Sequence, residues 1–120
     1  MREKWSLEEA VVLLEYYFES RGEYKGSELQ NIRSMFIKRA KAFEICYDEK
    51  FRNITGLRMQ LGCIDYVVSG GKTGLSNAAK IFYDAYDLFI RNRSHYYLIY
   101  QISIESIHVR LIQTDRALFT

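Results

Sequence analysis

The chain has 120 residues, 48% of them apolar and 15% aromatic, and a formal net charge of +2. That is apolar material for one packed domain and excludes an intrinsically disordered chain. The near-balanced charge does not mark a nucleic-acid binder by itself, and no apolar run approaches the roughly 20 residues that cross a bilayer.

Proline is absent, which favours long uninterrupted helices. The opening Met1-Arg2-Glu3-Lys4 runs into a polar, capped segment rather than an apolar signal core. Cys46 and Cys63 lack any paired spacing. The expectation is two reduced thiols in a cytoplasmic protein, with a disulfide between them as the alternative.

In chain order, Ser6-Leu7-Glu8-Glu9 reads as a capping box, hydroxyl to amide and carboxylate back to amide. It predicts a first helix from about Leu7 to Glu19 or Ser20. Leu7, Ala10, Val11, Leu14, Tyr17 and Phe18 form its inward stripe, and Glu8, Glu9, Glu15 and Glu19 point outward. Arg21-Gly22 reads as the stop, with glycine in the left-handed position. Ser27-Glu28-Leu29-Gln30 reads as a second capping box. It predicts a helix to Ala42 or Phe43 with Leu29, Ile32, Phe36, Ala40 and Phe43 inward. Residues 44–52 have no clear period and read as an ordered connection.

Asn53 reads as the cap of a third helix reaching Val67 or Val68, with Leu57, Leu61 and Ile64 inward and Arg58 and Gln60 on outer or flanking faces. Gly56 and Gly62 inside it cost about 1 kcal/mol each relative to alanine, which calls for a close approach to a helix, a partner or a nucleic-acid backbone. Residues 69–74 read as a flexible loop. Ser76 or Asn77 then caps a fourth helix to Ile90 or Arg91, with Leu75, Ala78, Ala79, Phe82, Tyr86 and Phe89 as its stripe. Ser94 caps a fifth segment with Tyr97, Tyr100, Ile104, Ile107 and Leu111 as a seam. A β-hairpin is the alternative there, because the stretch is rich in β-branched residues and alternates locally. The prediction is an all-α fold: one compact domain, residues 1–120, of four to five helices, the first three as a helix-turn-helix-like unit.

Chemistry-bearing motifs are few. Gly71-Lys72-Thr73 resembles the end of a phosphate loop, but the position five before Gly71 holds Tyr66 rather than glycine, and the preceding segment reads as a helix. Lys72 and the neighbouring amides could still meet a phosphate of DNA or RNA. His95 and His108 stand far from either cysteine, which leaves no metal-ligand spacing and no nucleophile–base pair. No cofactor and no catalytic role are predicted. The clustered aromatics at Tyr16-Tyr17-Phe18, Phe82-Tyr83 and Tyr96-Tyr97 read mainly as core. Some remain exposed as a protein-binding or base-stacking surface, since adjacent rings cannot all face one interior.

Several of these residues carry a family resemblance. Trp5-Ser6-Leu7-Glu8-Glu9 leading to Tyr16-Tyr17, then Phe51-Arg52-Asn53, Gly56, Met59-Gln60-Leu61, and Gly71-Lys72-Thr73-Gly74-Leu75 resemble the helical domain at the N-terminus of bacterial HNH-type endonucleases and related restriction or defence proteins. The resemblance spans about residues 5–92. It departs from the family at Gln60, where the family carries a basic residue, around Cys63-Ile64, and in lacking any His-Asn-His nuclease module. It implies an accessory domain without catalysis, a nucleic-acid-binding or targeting domain of a bacterial or phage defence-related protein. Arg52, Arg58, Gln60 and Lys72 are then the candidate nucleic-acid contacts, supported by a local surplus of basic over acidic residues from Arg33 to Arg58. The alternative is a small protein-interaction module, such as a phage or mobile-element inhibitor of a host machine. It is motivated by near-neutral charge and surplus tyrosine.

Overall fold

The structure is a computed structural model in which residues 4–105 are described. They form five helices and, among the described residues, no strand: α1 (Leu7–Ser20), α2 (Gly26–Ala42), α3 (Ile54–Val68), α4 (Lys80–Arg91) and α5 (residues 93–105). The chain is an all-α single domain. None of its described helices is long and apolar enough to cross a membrane.

The core is built around α1, which packs on α4 and α3, while α3 also meets α2. α1 holds this place because every residue from Glu9 to Glu15 is buried, far more than an amphipathic stripe supplies. The outward placement of Glu9 and Glu15 is therefore corrected: both carboxylates are inside. The predicted capping box is present. The Glu9 amide donates to Ser6 Oγ at 3.2 Å, and the Ser6 amide donates to Glu9 Oε1 at 3.1 Å. The helix stops through two left-handed residues, Arg21 (φ 51°) and Gly22 (φ 88°).

The second capping box does not form. Lys25 is already the extended cap residue, with φ −81° and ψ 136°, and the Leu29 amide closes the first turn on the Lys25 carbonyl. Ser27 thus lies inside the helix, past the point where its hydroxyl could cap. Leu29, Ile32, Phe36 and Ala40 are buried as predicted, whereas Phe43 at the C-terminal cap is exposed beside the Arg39 guanidinium.

Residues 43–53 separate α2 from α3, longer than the three- or four-residue turn of a helix-turn-helix unit. Arg33 orders this connection from α2, with Nε donating to the Phe51 carbonyl at 3.1 Å and Nη2 to that of Glu49 at 2.8 Å. Asn53 caps α3 as predicted, accepting from the Gly56 amide at 2.8 Å.

α4 begins at Lys80, later than Ser76 or Asn77, because the chain after α3 folds back first. The Leu75 amide donates to the Gly62 carbonyl at 3.0 Å, and Ala79 then caps α4 without a side-chain bond. Asn92, not Ser94, caps α5, accepting from the His95 amide. The buried face of α5 is Tyr96 and Ser103, with Ile99 and Tyr100 half-buried, so the seam predicted through Tyr97 and Ile104 is off in register. Tyr96 fixes the register: its ring meets Phe89 edge-on at 5.0 Å, and its hydroxyl reaches the Val11 carbonyl at 3.4 Å. The hairpin alternative fails over residues 96–105, which are helical; Ile107 and Leu111 lie outside the described residues.

Candidate interaction face

Three sequence motifs meet in one cluster. Arg52 adopts φ 48° just ahead of α3, which aims its guanidinium back at the start of α1. Nε donates to Glu9 Oε2 at 2.7 Å, Nη2 to Glu9 Oε1 at 3.0 Å, and Nη2 also to the Lys4 carbonyl at 3.0 Å. The guanidinium carbon lies 3.8 Å from the Trp5 ring centroid and 4.6 Å from that of Phe51. Arg52 is 7% exposed and Glu9 3%. A two-point Arg–carboxylate pair stacked between aromatic faces is a structural joint. Arg52, expected as a nucleic-acid contact, is occupied inside this joint. The sequence signal was Trp5 beside a capping-box Glu9 at one end and Phe51 beside Arg52 at the other, but nothing local paired them across 43 residues.

Above this joint lies a depression of about 550 Å³ between the 46–53 connection and the first half of α3. Trp5, Tyr47, Phe51, Thr55, Met59 and Gln60 are among its lining residues, with Asp48 and Lys50 adding one charge of each sign. Tyr47 meets Phe51 at a tilt, ring centroids 5.3 Å apart, yet remains 38% exposed, and Met59 is 54% exposed. Cys46 is a free, exposed thiol on the same wall, and Cys63 is free and buried. The site offers apolar contact, the side-chain amides of Asn53 and Gln60, and balanced charge from Asp48 and Lys50. Among the described residues no three His, Cys, Asp or Glu side chains gather as metal ligands.

The remaining candidate contacts are dispersed. Gln60 is half-buried in the wall of the depression. Arg58 does not line it; its Nη1 donates to the Tyr24 carbonyl at 3.0 Å. Lys72 is exposed on the loop after α3. That loop is tied down rather than loose. The amides of Gly70 and Gly71 donate to Val67 and Tyr66 carbonyls, those of Lys72 and Thr73 to Ser69 Oγ, and that of Leu75 to Gly62. Five amides that could have cradled a phosphate are therefore engaged within the chain, and Lys72 offers its side chain alone.

Asp65 anchors the loop. It accepts a short bond from the Tyr17 hydroxyl and a 2.7 Å bond from Thr73 Oγ1, and these two bonds hold its carboxyl below the usual range. The close approach expected at Gly62 is to Leu75, whose side chain an added Cβ would meet at 2.9 Å. Gly74 is tighter still: φ is +92° and an added Cβ would stand 2.5 Å from both the Gly62 carbonyl oxygen and the Tyr66 nitrogen.

No family model, curated protein or solved structure matches the chain.

Proposed function

We propose that the chain is a non-catalytic protein-interaction module that receives an apolar side chain of a partner in the depression beside Met59. The observation that carries this reading is the pairing of exposed Met59 and Tyr47 over a rigid floor, the buried Arg52–Glu9–Trp5 joint. Methionine and tyrosine suit such surfaces because one adapts in shape and the other combines a large apolar face with a polar tip. The floor residues are held from three directions, so binding would not have to order them first. In the setting the resemblance implies, the partner is another component of a bacterial restriction or defence assembly, or a host machine that this chain inhibits. Two free thiols suit the cytoplasm.

The nucleic-acid reading rests on Arg58, Gln60 and Lys72, of which Gln60 alone lines the depression, while Arg52 is buried against Glu9. The test is affinity capture with the full chain, run in parallel with anisotropy of labelled duplex and single-stranded DNA at two salt concentrations. A partner held by the wild type and by Arg58→Ala/Lys72→Ala, but lost with Met59→Glu, supports the module. Salt-dependent DNA binding that Arg58→Ala/Lys72→Ala abolishes and Met59→Glu leaves intact would replace it.

A further inference from the structure

The interface between α1 and α5 holds a group that no other part of the fold accounts for. Glu15 is 6% exposed, and its Oε2 is buried without a hydrogen-bond partner. Its Oε1 accepts from the Tyr97 hydroxyl at 3.3 Å, a long bond and, among the described residues, its one hydrogen bond to α5. We propose that Glu15 is a proton-operated catch on α5: the helix holds α1 tightly while the carboxyl is protonated and loosens when it ionises.

The geometry argues for this directly. A buried carboxylate needs donors at both oxygens, and here one oxygen has none. The neutral acid is much cheaper to bury. The charged groups around it do not complete the set. Arg93, at the start of α5, attracts the ionised form, but its Nε donates to the Phe89 carbonyl at 2.8 Å and its guanidinium carbon stacks 3.7 Å from the Phe89 ring centroid. Glu19, one turn along α1, repels it. Tyr96, Tyr97 and Tyr100 on α5 are neutral, all pushed up first by burial and further by the Glu15 charge. Burial outweighs the Tyr97 bond and Arg93, and the Glu15 carboxyl is held above its ordinary value.

α5 buries little of its own surface. Tyr97, Leu98, Ile102 and Ile104 are all exposed, and among residues 93–105 only Tyr96 and Ser103 are buried.

The sign follows from linkage. A carboxyl raised in the docked state stabilises docking fully below the ordinary carboxylate range. That contribution is lost as pH rises toward the raised value and is constant above it.

Hydrogen exchange of the full chain between pH 4 and pH 8, corrected for intrinsic rates, tests the catch. The expected result is protection over residues 93–105 that falls with rising pH, by up to about tenfold per pH unit inside the window, while α3 does not follow. Glu15→Gln should abolish this dependence and hold α5 at least as protected as the wild type at pH 4. Tyr97→Phe, which keeps the carboxyl and removes its donor, should extend the loss to higher pH. Flat wild-type protection would overturn the proposal, as would a dependence that survives in Glu15→Gln. An unshifted window in Tyr97→Phe would overturn it as well. These outcomes do not depend on the Met59 face.

Discussion

Replacing Arg52 with methionine probes the joint on which the depression rests. The substitution keeps an unbranched side chain and the same left-handed backbone, so backbone strain cancels between variant and wild type. The losses include the two-point bond to Glu9, the bond to the Lys4 carbonyl and the ring contacts with Trp5 and Phe51. Glu9 is left 3% exposed, with the Ser6 amide and hydroxyl at 3.1 Å as the donors that remain to it. Orphaning one member of a buried pair costs about 3–5 kcal/mol, a large part of the 5–15 kcal/mol typical of a whole domain. With an ordinary urea dependence the midpoint should fall by roughly 2 M. Trp5 is the single tryptophan and stacks on the guanidinium, so its fluorescence reports the joint while circular dichroism reports the helices. Adding Glu9→Gln to Arg52→Met removes the stranded charge and should restore at least half of the loss. A cost below about 1 kcal/mol for Arg52→Met alone would refute the reasoning, as would a double variant no more stable than the single one.

Other perturbations follow from the same geometry. Gly74→Ala should cost more than about 3 kcal/mol, since strain at φ +92° adds to backbone overlap. Gly22→Ala, at φ +88° with nothing within 4 Å, should cost only about 1–2 kcal/mol, and urea melts of the two separate overlap from strain. The Asp65 carboxyl is lowered by Tyr17 and Thr73, so its contribution to stability is present above the ordinary Asp range and is lost as pH falls through the lowered value. Tyr17→Phe should therefore lose more stability at pH 7 than at pH 2, as measured by urea midpoints at each pH. Met59→Glu should change the unfolding free energy by no more than about 0.5 kcal/mol, the ordinary effect of an exposed substitution, while abolishing partner capture.

Local signals in the sequence were read well where the chemistry was local. The Ser6–Glu9 box and the Asn53 cap are formed by residues three apart, and the α3 stripe Leu57, Leu61 and Ile64 follows helical spacing directly. Most of the misreadings arise where distant residues decide. Ser76 has the composition of a cap, yet the Gly62–Leu75 bond moves the start of α4 to Lys80; at Ser27 the displacement is local, because α2 already opens at Gly26 with Lys25 as its cap. Glu9, Glu15 and Arg52 look like surface charges because burial of a charge depends on a partner or a proton, and neither is visible in a local window. The α5 register slipped because Tyr96 and Tyr97 are adjacent and equivalent in composition; the Phe89 and Val11 contacts decide between them. Of the residues lining the depression, Arg52 and Gln60 are candidate contacts in the sequence, and Trp5, Phe51 and Met59 belong to the quoted motifs; Tyr47 has no local signal, because it joins them only where the 46–53 connection stands opposite α3.

The most direct test of the interaction face uses its own thiol. Cys46 is exposed on the wall of the depression, whereas Cys63 is buried and its thiol is pushed up by that burial, so a maleimide photo-crosslinker reacts selectively at Cys46. The labelled full chain is irradiated in extract of the cells that express it. The account predicts a discrete protein adduct that disappears with Met59→Glu and persists with Arg58→Ala/Lys72→Ala. An adduct indifferent to Met59→Glu, or crosslinking to nucleic acid in place of protein, would contradict it.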